Sequence, residues 1–236
     1  MSVPRSERGC AGLAGTGGAR GTAGAALRLR GVEIALGPRV LVDALDLDVP
    51  AGACTTIMGP SGCGKSTLLA YLAGTIDPAF SARGRVLVGD DDLTTLAPEA
   101  RRLGLQFQDD LLFPHLSVGG NLAFALARRV RGRSERREAI ERALAEAGLA
   151  GFAERDPATL SGGQRARVAL MRTLLAQPRA LLLDEPFNRL DAALREDMRA
   201  FVFGHARERG LPMLLVTHDA ADAKAAGGAV VRLAGG

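Results

Sequence analysis

The sequence predicts one α/β domain, and three observations carry that prediction. Short apolar runs at 54–58, 180–183 and 213–216 are separated by longer stretches of helical periodicity, the rhythm of parallel strands joined by crossover helices. The first run ends on a glycine-rich loop that leads directly into a helical pattern. The second delivers two adjacent carboxylates, Asp184 and Glu185, at the end of a strand where α/β sheets bind ligands.

Taken in order, residues 1 to about 24 are Gly, Ala, Arg and Ser with almost no large apolar side chains. Such a stretch does not bury enough surface to offset the entropy of ordering it, so disorder is expected there and a folded domain over 25–236. It also lacks the apolar segment of a secretory signal. Leu27 to Ile34 and Val40 to Val49 are β-like runs around a Gly37-Pro38 turn, which predicts an antiparallel edge. Cys54 to Met58 reads as a buried strand, and Lys65 to Ala73 as a helix with Leu68, Leu69 and Leu72 on one side. From about 115 to 176, Ala, Leu, Arg and Glu dominate, which predicts a helical subdomain with breaks at Gly132 and at Asp156-Pro157. A long helix over Asp191 to Arg209 separates the last two strands.

Composition narrows the function classes. No run approaches the roughly 18 apolar residues that a membrane-spanning helix needs. The net charge of +4 comes from arginines spread over the whole chain and selects no partner by itself. Cys10, Cys54 and Cys63 are too few and too irregular for a disulfide framework or a zinc site, which fits a reducing, cytosolic setting. Among 30 cationic residues only Lys65 and Lys224 are lysines, so each asks for a specific reason.

Gly59-Pro60-Ser61-Gly62-Cys63-Gly64-Lys65-Ser66-Thr67 supplies that reason for Lys65, because it matches the P-loop (Walker A) pattern and lies between a strand and a helix. Its glycines are expected to let the backbone N–H groups close on phosphates where a Cβ would collide. Lys65 is expected to reach the β- and γ-phosphates and Ser66 to offer its hydroxyl to Mg²⁺. Cys63, near a helix start, is expected to have a lowered thiol pKa and so to expose turnover to oxidation. Asp184 then suits the metal, and Glu185 the orientation and deprotonation of a water attacking the γ-phosphate. Read alone, the pair is equally a solvated strand end before a Pro186 turn.

Leu160-Ser161-Gly162-Gly163-Gln164 opens a third helical stretch, with Ser161 and Gln164 spaced as a capping box. Two glycines in a first turn weaken a helix by roughly 1 kcal/mol each relative to alanine, which suggests exposed N–H groups that meet an anion.

Glycine loop, L-S-G-G-Q segment and Asp-Glu strand end, in this order, resemble the ATPase subunits of ABC transporters over residues 27–233. The resemblance implies a P-loop NTPase core with an antiparallel β edge and a helical subdomain, using ATP and Mg²⁺. It also implies roles for Gln108 as a sensor of Mg²⁺ and permease, for Asp191 in the loop that touches an opposite subunit, and for His218 at the γ-phosphate. Without the resemblance, a lone histidine after a strand reads as structural. Further implications are a head-to-tail dimer in which the Ser161 loop of one subunit covers ATP on the Lys65 loop of the other, and a membrane permease docked near Gln108 and Leu111 to Leu116. That arrangement puts the chain peripherally on the cytoplasmic face of the inner membrane. The segments 107–118 and 160–195 resemble importer subunits that work with an extracytoplasmic solute-binding protein, without the C-terminal regulatory domain that many of those carry. One departure is Leu36, which falls where the family places an aromatic residue on adenine. The competing readings are a soluble ABC-type ATPase acting on nucleic acid or ribosomes, encouraged by the arginine run at 128–137, and a cassette that binds nucleotide without turnover. A single motif set and intact Glu185, His218 and Ser161 argue against both, so no nucleic-acid partner is expected.

Overall fold

The computed structural model describes residues 24–107, 109–126, 130, 132–188 and 190–233. The expectations for residues 1–23 and Gln108, and part of the arginine run at 128–137, lie outside these. The antiparallel edge forms as predicted. Strands β1 (Leu27–Leu36) and β2 (Arg39–Val49) pair with Leu36 opposite Arg39, leaving Gly37-Pro38 as a two-residue hairpin loop. Gly37 takes φ +56°, the positive angle that such tight hairpin loops require.

Strand β3 (Cys54–Met58) is buried throughout and leads through the glycine loop into α1 (Lys65–Ala73). The chain then returns to the edge as β4 (Phe80–Val88) and β5 (Asp91–Asp92), giving a four-stranded sheet in the order β2-β1-β4-β5. Neither strand was anticipated. Residues 80–85 alternate half-buried and exposed, with Ser81, Arg83 and Arg85 on the exposed side, and only Val86 and Val88 are buried in the core, so the apolar signal is weak.

After α2 (Pro98–Arg101) and β6 (Gly104–Gln106), three helices fill the predicted helical stretch: α3 (Val118–Ala125), α4 (Arg133–Glu146) and α5 (Gly162–Leu175). Gly132 is the N-cap of α4, and Asp156-Pro157 begins a 3₁₀ turn, so both expected breaks are present. Strand β7 (Leu181–Asp184), α6 (Ala192–Glu208), β8 (Met213–Val216), α7 (Ala220–Ala226) and β9 (Val230–Arg232) complete the chain. The central sheet is parallel, in the order β6-β7-β8-β3-β9.

Residue parity shows why the strands are wholly apolar. Leu181, Leu183, Met213 and Leu215 face one core with α3 to α6. Leu182, Leu214, Val216 and Ile57 face the other, with α1 and the antiparallel sheet. A strand buried on both faces has no polar side to alternate with. Strand order also places the ends of β7, β8 and β3 side by side, which brings three sequence-distant loops to one edge.

Candidate functional site

The glycine loop closes on itself before it meets any ligand. Gly62 and Gly64 take φ +77° and +97°. A Cβ on Gly64 would stand 2.9 Å from Leu41 Cβ, and one on Gly59 would stand 2.7 Å from the Cys63 sulfur and 2.8 Å from the Leu233 carbonyl oxygen. These glycines are therefore demanded by the loop's own backbone and packing, a nearer cause than the collision with phosphates that the sequence suggests. Cys63 is 1% exposed and belongs to the second core. Reactive cysteines need access, so the expected oxidation of this thiol is corrected: the side chain is a packing group under the loop. Cys54 is buried too, and burial pushes its thiol up to about 12, far from a thiolate.

Lys65 is 7% exposed, and its Nζ donates to the carbonyls of Gly59 and Pro60, at 2.9 Å each. An ammonium carries three donors, so one remains for an anion without breaking either bond. Helix α1 has no side-chain cap and no acidic residue in its first turn, in contrast to α3, α5, α6 and α7, which Ser117, Ser161, Asp191 and Asp219 cap. Uncapped N–H groups at the positive end of a helix, with a buried lysine beside them, make a site for phosphate. Ser61, Gly62, Gly64, Lys65, Ser66, Thr67 and Glu185 line a cleft of ≈ 370 Å³ at this point.

The other end of the cleft is formed by Leu36, Arg39, Leu41 and Phe80. Leu36 is 43% exposed and directly opposite Phe80 in the β1–β4 pairing. Sequence reading had placed Leu36 here but missed Phe80, because the strand that carries it was not legible; β4's pairing with β1 is the missing signal.

Asp184 ends β7, and the Ser66 hydroxyl hydrogen-bonds its carboxylate. Burial raises the Asp184 pKa above the ordinary carboxylate value; the Ser66 bond and Lys65 oppose that rise, and Glu185 adds to it. A half-buried carboxylate whose ionised form is disfavoured by burial and favoured by a nearby cation suits a small hard metal, which is bound by one or two carboxylates, waters and phosphates.

Glu185 follows at φ +46°, a left-handed conformation that costs a non-glycine residue about 1–3 kcal/mol and collects at functional positions. Its N–H donates to Val216 O at 2.9 Å, which ties it to the neighbouring strand. Its Oε2 accepts from Asn188 Nδ2, and its Oε1 lies 3.3 Å from His218 Nδ1. The His218 side chain is 63% exposed. Thus the Lys65 loop, Asp184, Glu185 and His218 sit at the ends of three adjacent strands.

Two predicted groups stand apart. Ser161 caps α5, accepting from Gln164 N at 3.3 Å while Gln164 Oε1 accepts from Ser161 N at 3.0 Å, so the expected capping box is complete. Ser161 is exposed, and among the described residues the 161–164 segment does not line the Lys65 cleft. The two glycines have different causes. A Cβ on Gly163 would meet Leu194 Cδ1 at 2.3 Å, so helix packing alone explains it, whereas Gly162 has only Arg165 at 3.9 Å. The inference from two glycines to an anion therefore rests on Gly162 alone. Asp191 likewise caps α6 through Leu194 N at 3.0 Å.

A family profile described as "ABC transporter" matches residues 42–188. The chain is 47% identical over 199 residues to the uncharacterized ABC transporter ATP-binding protein YnjD of Escherichia coli, covering 84% of this chain and 91% of that protein. It is 45% identical over 200 residues to the spermidine/putrescine import ATP-binding protein PotA of Marinobacter nauticus, covering 85% of this chain and 52% of the relative. For the Fe(3+) ions import ATP-binding protein FbpC 1 of Haemophilus influenzae the identity is 38% over 205 residues, covering 87% of this chain and 62% of the relative. The P-loop fold, the cleft for a phosphorylated ligand and these likenesses agree, and the chain belongs to the ATP-binding subunits of ABC transporters, which bind ATP and hydrolyse it to drive transport.

Proposed function

We propose that the chain energises solute import through a separate membrane permease, hydrolysing Mg·ATP at a site completed by a second cassette. The observation that carries the catalytic part is the convergence of Lys65, Asp184, Glu185 and His218 at one sheet edge, with Glu185 and His218 3.3 Å apart. Lys65 and the N–H groups of α1 hold the triphosphate. Ser66 and Asp184 would hold Mg²⁺, together with Gln108, which lies outside the described residues and which the family resemblance suggests. The ion supplies charge neutralisation on the phosphate oxygens. Glu185 orients a water and takes its proton as the water oxygen bonds to the γ-phosphorus; the bond to the β–γ bridging oxygen breaks and ADP leaves with the electron pair. His218 steadies the Glu185 carboxylate and contacts the γ-phosphoryl group.

The second cassette supplies the Ser161 loop and Asp191. Ser161 uses its oxygen as an acceptor for Gln164, which leaves the hydroxyl hydrogen for a phosphate oxygen. Its position outside the Lys65 cleft supports a partner as the source of the covering loop, and the helices α3 to α5 form the subdomain that carries it. Mixing Lys65→Ala with Ser161→Arg tests this. Each variant alone is inactive, and the mixture regains turnover because one site of a mixed dimer is intact; no recovery would argue for sites complete within one chain.

The permease contact is supported by apolar exposure around residue 108. Phe107, Leu111 and Phe124 are 46%, 57% and 70% exposed, while Leu112 packs into the core and Phe113 meets Phe124 edge-on at 4.8 Å. Import, an extracytoplasmic solute-binding protein and a place on the cytoplasmic face of the membrane are supported by the names of the PotA and FbpC relatives. No helix among the described residues is long and apolar enough to cross a membrane. Of the arginine run, Arg136 donates to Ala123 O and Val130 O and so packs helices together, while Arg133 and Arg137 are exposed.

A further inference from the structure

A buried charged pair joins α6 to α7 beside the candidate site. Asp222 is 1% exposed, and its Oδ1 accepts from Arg199 Nε at 2.7 Å. Its Oδ2 accepts from the hydroxyl of Thr217 at 2.8 Å, and Thr217 is fully buried. The same hydroxyl oxygen accepts from the Asp219 N–H at 3.0 Å. Thr217 N in turn donates to Ile57 O, at 3.2 Å. The backbone is therefore fixed on both sides of His218, whose own side chain is mostly exposed and, among the described residues, meets Glu185.

The fixation reaches further along α6. Asp219 Oδ1 caps α7 through Ala221 N at 2.7 Å, and its Oδ2 accepts from Arg195 at 2.9 Å. Arg195 also donates to Leu190 O at 3.2 Å, the residue before Asp191. An ion pair between helices usually serves as a staple whose worth is structural. Here the bond that satisfies the second oxygen of the buried Asp222 comes from a hydroxyl next to His218, so the pair and the histidine's backbone are fixed together.

We infer that the Arg199–Asp222–Thr217 chain positions His218 against Glu185, and that Arg195 and Asp219 tie this position to the Asp191 loop. These are positioning residues, and the inference rests on the catalytic reading of Glu185 and His218 above. A hydroxyl that donates inward and accepts from the far side of His218 sets the direction in which the imidazole leaves the backbone. A valine of nearly the same shape keeps the Arg199–Asp222 ion pair but removes the hydroxyl's bonds to Asp222 Oδ2 and the Asp219 N–H, so the thermal midpoint falls too and kcat, read in both His218 backgrounds, is what separates positioning from stability.

The test is a cycle of Thr217→Val, Thr217→Ser and His218→Ala, reading kcat and KM for ATP hydrolysis together with the thermal midpoint. Thr217→Val lowers kcat by about 10-fold with KM unchanged, the size expected of a misplaced catalytic group, and Thr217→Ser restores it. In the His218→Ala background the valine has no further effect on kcat, because the group it positions is gone. An equal loss of kcat in both backgrounds, or a fall in midpoint with kcat unchanged, would overturn the inference and leave a structural staple. If His218→Ala itself turns over like the wild type, the catalytic reading of His218 falls and takes this inference with it. That outcome is distinct from failure of the positioning chain alone, in which His218→Ala is slow and Thr217→Val is not.

Discussion

His218 Nδ1 lies 3.3 Å from Glu185 Oε1, which joins the ends of two neighbouring strands, β8 and β7, through their side chains. The Lys65 loop, to which the proposed function assigns the phosphates, is a separate group at the end of β3. His218→Ala is accordingly expected to lower kcat by about 10²-fold, the loss typical of removing one electrostatic contact to a reacting group, with little change in ATP affinity. Steady-state hydrolysis and equilibrium ATP binding check this. A Kd that rises in step with the loss of turnover would put His218 in ground-state binding.

Asp184 has its pKa raised, chiefly by burial, so ionisation is harder in the folded protein than in the unfolded chain. The sign follows: the stability this group contributes is present at low pH and is lost as pH rises through the raised folded value. Asp184→Asn removes that liability. At neutral pH and without nucleotide, its thermal midpoint is expected to rise by at most about 2–4 °C, the shift that ~1 kcal/mol gives a domain of this size, because solvent screens a half-exposed carboxylate. The same variant loses Mg²⁺-dependent hydrolysis. A lower midpoint at neutral pH would contradict the burial account.

At the far end of the cleft Leu36 and Phe80 face each other across β1 and β4. If the purine base lies there, Leu36→Tyr tightens ATP binding by about 5-fold and Phe80→Ala weakens it by a similar factor, the lower end of what base–aromatic stacking gives. Fluorescence titration with ATP and with inorganic triphosphate separates the base from the phosphates. Equal changes for both ligands would put the base elsewhere.

Gly162 and Gly163 are adjacent but differ in cause. Gly163→Ala drives a methyl group into Leu194 and is expected to destabilise the fold by about 1–3 kcal/mol, with partial recovery in combination with Leu194→Ala. Gly162→Ala enters open space and is expected to raise stability by up to about 1 kcal/mol, since alanine is the better helix former. Denaturant unfolding of the three variants decides between packing and ligand as the reason for each glycine.

Much of this arrangement was legible in the residues. Cys54–Met58 and Lys65–Ala73 have the bounds read from the apolar run and the helical spacing, because a strand buried on both faces and a glycine loop leave little ambiguity. Strands β4, β5, β6 and β9 are not legible: the first carries arginines on its exposed face, and the others are two or three residues long. For the site, residue types identified Lys65, Ser66, Asp184 and Glu185, yet only strand order shows that His218 reaches Glu185. The structure also adds causes for the glycines that residue types alone do not show. Of the atoms nearest to where the Cβ atoms of Gly59, Gly64 and Gly163 would be, only the Cys63 sulfur beside Gly59 is close in sequence; Leu41, Leu233 and Leu194 are far away.

The central claim is that Glu185, held at φ +46° and bonded by Asn188 and His218, is the base of a site shared between two cassettes. The most direct test compares Mg·ATP hydrolysis and ATP-dependent dimerisation of the wild type and Glu185→Gln. The account predicts that the variant loses turnover and accumulates as an ATP-bound dimer. Hydrolysis by the variant at the wild-type rate would contradict it.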